Sequence, residues 1–337
     1  MQIIDADGHV NDRPCMDEIS KFMPPGNRTQ VFPSFDHIHF HFLEGGEKRS
    51  RTGNVGPQEW IDFLDETEID WTVVYPTAGL AVGRIVAEDW AIAACRAYNN
   101  WLHEKFTKVS SRIKGMALIP IQDSEAACAE LRRAVKELGM AGAMLPSNGE
   151  GIKGHYGGKI YWPIYEEAEK LDCALAVHGG CYGDLGFNSF GVFPATRALG
   201  MPFPLAIAAT GMIVEGMLDQ FPKLRVGFLE GGTAWIPIVI DRLQREMEYG
   251  GLRLKHKPEE YFTSGQIFVG CEGNEKALAY AIERVGPEPF MFASDFPHEI
   301  SLGNCMEEIN EILERNDLKP EYKTAILGDN ARRFYAI

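Results

Sequence analysis

Short apolar runs that stop at a polar residue recur along this chain. Phe290–Ala293 ends in Ser294-Asp295, with Pro297 closing it, and Ile3-Ile4 leads into Asp5-Ala6-Asp7-Gly8-His9. Ala174–Val177 ends in His178-Gly179-Gly180, and Val226–Leu229 ends in Glu230-Gly231-Gly232. Such a run reads as a buried strand whose C-terminal end is open. An unpaired charge is costly to bury, so the acids at these ends need a metal or another partner.

Between the runs the pattern turns helical. Helix Gln58–Glu68 precedes strand Trp71–Tyr75, Ile85–Phe106 precedes Lys114–Ile119, and Ser124–Leu138 precedes Gly142–Leu145. Pro163–Leu171 precedes Cys173–His178, and a helical region over Leu205–Phe221 precedes Arg225–Glu230. Ala234–Tyr249 precedes Gln266–Cys271, Glu275–Val285 precedes Phe290–Ser294, and helices Asn304–Arg315 and Glu321–Tyr335 close the chain. With Ile3–Asp7 as the first, these are eight strands alternating with helices, which implies a parallel sheet covered on both faces. Eight repeats predict one α/β domain over residues 1–337, a (β/α)8 TIM barrel. Residues 10–56 lack a period and are rich in Pro, Gly and charge, which predicts a long loop insertion after strand one, over the barrel mouth. Active sites of such barrels lie at the C-terminal strand ends, and the polar residues above sit at the ends of strands one, five, six and eight.

Composition narrows the partners. A net charge of -15 repels phosphate backbones and anionic lipid, so neither nucleic acid nor a membrane surface is an expected partner. Seven cysteines, an odd number with no C-x-x-C pair, suit a reduced, cytoplasmic protein. Asp5 and Asp7 stand where a signal peptide would need a basic and then an apolar run. The most apolar segment, Met201–Val214, is interrupted by Pro202, Pro204 and Gly211, so no membrane span is expected.

Asp7 and His9 lie two apart on a strand and so share a face. His178 and Asp295 complete the set from across the barrel. Imidazole and carboxylate together suit zinc, iron or manganese. The expectation is a divalent transition metal at Asp7, His9, His178 and Asp295.

Seven stretches carry a family resemblance. They are IIDADGHV at 3–10, RAYNNWL at 96–102, RIKGMALIPIQD at 112–123, YWPIYEEAEKLDCALAVHGG at 161–180, FPKLRVGFLEGG at 221–232, FASDFPH at 292–298 and LGDNARRFY at 327–335. In order and over nearly the whole chain they resemble the amidohydrolase superfamily. The branch is the amidohydrolase-related one that includes aminocarboxymuconate-semialdehyde, resorcylate and carboxyvanillate decarboxylases. The resemblance implies a distorted barrel, a metal-dependent hydrolase or lyase, those same four metal ligands, and a homodimer. Three departures stand out. Asp7 replaces the first His of the common H-x-H motif, Glu230 stands where strand six usually ends in His, and Ala141–Ser147 has no Lys for a binuclear centre. The last favours one ion over two, unless Glu230 bridges.

Asp295, Glu230 and His298 are the candidate catalytic residues. Glu230 is read as a further ligand, a general base or a partner orienting His178, and His298 as a substrate contact or a support behind the metal. His155, in the Gly-rich loop after strand four, and Glu272, after strand seven, are candidate substrate contacts. Arg13, Arg84 and Arg197 are candidate clamps for a substrate carboxylate. Glu275 is expected to open a helix. His37, His39 and His41 share a face if extended, as a second metal clip or substrate wall, with a structural, solvated role preferred. The first function read from this set is hydrolysis of an amide, ester or thioester by metal-activated water. The alternative is non-oxidative decarboxylation of an aromatic or enoic acid, and the third is a metal-bearing barrel that binds a small molecule or another protein without catalysis.

Overall fold

The computed structural model describes residues 1–26, 31–33, 55–180, 185–298 and 300–337. Eight parallel strands run in sequence order: β1 (Ile4–Val10), β2 (Trp71–Pro76), β3 (Ile113–Leu118), β4 (Gly142–Pro146), β5 (Ala174–His178), β6 (Val226–Leu229), β7 (Ile267–Cys271) and β8 (Phe290–Phe292). Every neighbouring pair from β1 to β8 is parallel, and the predicted strands stand in their predicted places. The strands are mostly apolar because helices cover one face and side chains fill the other, with Asp5, Asp7 and His9 of β1 the main exceptions. β4 to β8 are buried at every position.

β8 closes on β1 through hydrogen bonds past its own end. Asp295 N donates to Asp7 O at 2.9 Å, and His9 N donates to Phe296 O at 2.7 Å. The register of β1 on β2 slips between Asp5 and Gly8, a bulge beside Asp7. Tyr335, in the last helix (Asn330–Tyr335), reaches into this bulge, where its hydroxyl donates to Ala6 O at 2.6 Å.

The helices follow local chemistry. Asp123 caps Ser124–Leu138, accepting from Glu125 N and Ala126 N, and Gly139 at φ 66 ends that helix. The predicted helix Ile85–Phe106 is α-helical only over Glu88–Leu102. It follows a 3-10 turn, Ala78–Arg84, and ends in a π turn, His103–Thr107. The region after β5 is also longer than expected. Phe193–Gly200 and Pro202–Val214 are both helical, and over Pro194–Val214 they are long and apolar enough to cross a membrane by length and composition. Pro202 and Pro204, read from the sequence as interruptions, do not break the stretch because they sit in a first helical turn, where the missing N–H costs little. Half of the stretch is buried, and Pro202–Val214 packs on β5 and Trp235–Glu248.

Within residues 10–56, short helical turns occupy Arg13–Cys15, Met16–Ile19 and Ser20–Phe22. The His37, His39 and His41 expectation lies outside the described residues.

Candidate metal centre

The site starts at the end of β1. Gly8 has no side chain because Trp60 lies against it; a Cβ there would come 2.5 Å from the indole. The indole Nε1 donates to His9 O at 3.1 Å, so the helix Pro57–Glu66 fixes the strand that carries Asp7 and His9. Asp5, fully buried, accepts from Thr72 Oγ1 at 2.6 Å, from Ser294 N at 2.8 Å and from Ser294 Oγ at 2.9 Å. It thereby ties β1 to β2 and to the end of β8. Burial pushes its carboxyl up to about 6, against the pull of those donors.

Two imidazoles then converge on one carboxylate oxygen. His9 Nδ1 lies 2.9 Å from Pro76 O and His178 Nδ1 lies 2.7 Å from Gly179 O. A carbonyl only accepts, so each ring carries a proton on Nδ1 and turns Nε2 inward. His178 Nε2 stands 3.1 Å from Asp7 Oδ1, and His9 Nε2 stands 3.6 Å from the same atom and 3.4 Å from Asp295 Oδ1. His9 Nε2 is buried without a hydrogen-bond partner. Burial and the neighbouring His298 and His178 hold His9 well below the usual histidine range, so its Nε2 offers a lone pair to two carboxylates. That contact is repulsive unless a cation lies among the three groups. Burial alone would lower His178 too, but the Asp7 charge and hydrogen bond, with Glu230 behind, raise it to about 9. Asp7 itself is raised, burial outweighing His178. Asp7, His9 and His178 can all offer a ligand atom within 4.8 Å of one another, and so can His9, Asp295 and His298. The donor set, two imidazole Nε2 atoms and carboxylates, fits a divalent transition metal, whose charge would displace the proton that His178 Nε2 shares with Asp7.

Asp295 and Glu230 both sit at strand ends with left-handed backbone, φ 54 and φ 61. That conformation is disfavoured for side chains other than glycine and turns both acids toward the mouth. Glu230 does not join either ligand group. Its Oε2 lies 3.5 Å from His178 Nδ1, the ring nitrogen facing away from Asp7, and its Oε1 lies 4.0 Å from Arg197. Burial first, and then the Asp295 charge, push Glu230 up to about 7. His298 stacks on His9 with ring centroids 3.9 Å apart and bonds Asp295 Oδ1 through Nδ1 at 2.7 Å.

A cavity of about 130 Å³ opens onto these acids, lined by Asp7, Arg197, Glu230, Glu272, Asp295 and Glu308 among others. Glu272 is thus at the mouth as expected. Glu275 does more than open a helix, which starts only at Leu278. Its carboxylate accepts from Thr233 N, Thr233 Oγ1 and Glu272 N, stapling the loop after β6 to the loop after β7. His155 does not line the cavity. Gly157 N donates to its Nδ1, and its Nε2 faces Glu215 at 3.8 Å beside Gly211 of the outer helix. Of the three arginines only Arg197 lines the cavity, while Arg84 pairs with Glu150. Sequence patterns passed over Asp12, Thr77 and Glu308. Asp12 is fully buried, and its only mark in the sequence is its place three residues after His9.

A family model described as amidohydrolase matches residues 4–337. A 2-amino-3-carboxymuconate-6-semialdehyde decarboxylase of Dictyostelium discoideum is 26% identical, over 83% of this chain and 77% of its own. A gamma-resorcylate decarboxylase of Polaromonas sp. is 27% identical, over 75% of this chain and 80% of its own. The crystal structure of a dihydroxybenzoic acid decarboxylase from Polaromonas sp., with bound manganese and 2-nitroresorcinol, superposes with a TM-score of 0.75 at 21% identity, over 99% of this chain and 97% of that one.

Proposed function

The chain belongs to the amidohydrolase family, and on that footing we propose that it is a metal-dependent, non-oxidative decarboxylase of a small aromatic or enoic carboxylic acid. The observation that carries the metal is the bare, buried His9 Nε2 set between the oxygens of Asp7 and Asp295. The decarboxylase relatives reverse the order expected from sequence, placing loss of carbon dioxide ahead of hydrolysis.

Asp7, His9, His178 and Asp295 would hold one divalent transition metal. Bound there, it supplies positive charge that neutralises a substrate carboxylate and an adjacent oxygen. The remaining chemistry falls to side chains. The carbon–carboxylate bond breaks, carbon dioxide leaves, and the electron pair left on carbon takes a proton. Glu230 and Asp295 are the acids on the cavity wall placed to give that proton, with His298 holding Asp295 through Nδ1. Glu230, near the midpoint of its titration at neutral pH, can both donate and be recharged. Arg197 faces Glu230 and is the basic group of the described lining. Glu272 forms wall rather than machinery. A homodimer is carried over from the resemblance, and a cytoplasmic location from the cysteine usage.

The test is manganese-loaded protein against a panel of hydroxybenzoic and enoic acids, with esters and amides beside them. Release of carbon dioxide from at least one acid, absent after chelation, is expected. Metal-dependent cleavage of an ester or amide, with every acid untouched, would replace this reading by hydrolysis.

A further inference from the structure

His298 has two ring nitrogens, and only one of them meets Asp295. The other, Nε2, lies 2.9 Å from Thr77 Oγ1, in the turn that follows β2. Thr77 Oγ1 also stands 2.9 Å from Val10 O. A carbonyl accepts only, so the single hydroxyl proton of Thr77 goes to Val10. Thr77 therefore accepts from His298, and Nε2 carries a proton.

The turn itself is held. Asp12 is fully buried, and its carboxylate accepts from Thr77 N at 3.2 Å, Ala78 N at 2.5 Å and Gly79 N at 2.9 Å. Asp12 N in turn donates to Val10 O at 2.9 Å. The hydroxyl thus has neither a free position nor a free proton. With Nε2 committed, the 2.7 Å contact of His298 Nδ1 with Asp295 Oδ1 closes only through a proton shared between those two atoms.

We infer that Thr77 is a positioning residue: by accepting the Nε2 proton of His298 it fixes the ring so that Nδ1 and its shared proton are presented to Asp295. This rests on Asp295 working at the metal. It adds that the proton partner of Asp295 is selected 221 residues away in the chain, on the turn after β2. Partners behind a ligand typically change metal affinity or activity by about 10–100-fold when lost.

The experiment compares wild type, Thr77→Val and Thr77→Ser, each labelled with 15N-histidine, with His298→Gln identifying the resonances. Metal-free wild type is expected to show a protonated Nε2 at His298. Thr77→Val, isosteric but unable to accept, is expected to lose that signature and bind Mn2+ roughly tenfold or more weakly. Thr77→Ser is expected to restore both, and thermal melts establish that all three fold. A His298 spectrum unchanged by Thr77→Val overturns the inference, and so does an altered spectrum with Mn2+ affinity unchanged. The spectrum is read without metal, and Asp295→Asn reports separately on Asp295: full Mn2+ retention there sinks the ligand, not the Thr77 contact.

Discussion

His178 Nε2 stands 3.1 Å from Asp7 Oδ1, although the two residues are 171 positions apart. The barrel makes this meeting, since β1 and β5 face each other across its interior, with Asp7 at the bulge of β1 and His178 at the end of β5. Each imidazole is pinned from behind by a carbonyl, so both Nε2 atoms aim at one oxygen.

Glu230→Gln separates a proton-handling acid from a ligand. Glu230 lies on the Nδ1 side of His178, away from the Asp7 contact. The variant is expected to keep its metal by elemental analysis while turnover falls roughly 10²–10⁴-fold. Loss of metal along with turnover would make Glu230 a ligand after all.

Gly8→Ala tests the packing that aims Asp7 and His9. The new methyl meets Trp60, Asp5 Oδ2 and Thr72 Oγ1, at 2.5, 2.8 and 2.8 Å. The ring must shift or the strand must bend. Denaturant unfolding is expected to show a loss of about 1–3 kcal/mol, with metal affinity falling in parallel. Unchanged stability and affinity would mean that the helix Pro57–Glu66 yields freely.

Glu308, on the cavity wall with Asp295 but not itself in either ligand group, gives a pH dependence of stability. Burial, with Glu272 and Glu311 nearby, raises its carboxyl from 4.5 to about 8. The folded protein therefore binds this proton more tightly than the unfolded chain. The stability it brings is complete below pH 4.5 and is lost as pH rises through about 8. Glu308→Gln carries no charge to bury. It is expected to match wild type in thermal melts at acid pH and to be more stable at high pH, by on the order of 1–3 kcal/mol. Equal melting temperatures at both ends would remove the buried charge.

The strands and their polar ends were legible because a short apolar run with a polar stop is local. Phe290–Ser294, Cys173–His178 and Arg225–Glu230 each bracket the observed strand within two residues. What was not legible depends on partners far away in the chain. The prolines of Pro202–Val214 look like breakers in a list of residues and prove harmless at a helix start. His155 lies in a loop after a strand, as site residues do, yet its ring is taken by Gly157 N. Thr77 shows no motif at all; its role exists only where Val10, Asp12 and His298 surround it. Asp5 and Asp12 carry buried acids that a pattern reader sees only as polar interruptions.

The metal centre is tested by the metal content of purified, Mn2+-reconstituted protein after desalting, with His178→Ala beside it. About one equivalent is expected in wild type and less than about a tenth in the variant, since the lost imidazole removes one of the four ligands. Equal metal in both proteins, or none in wild type, would contradict this expectation.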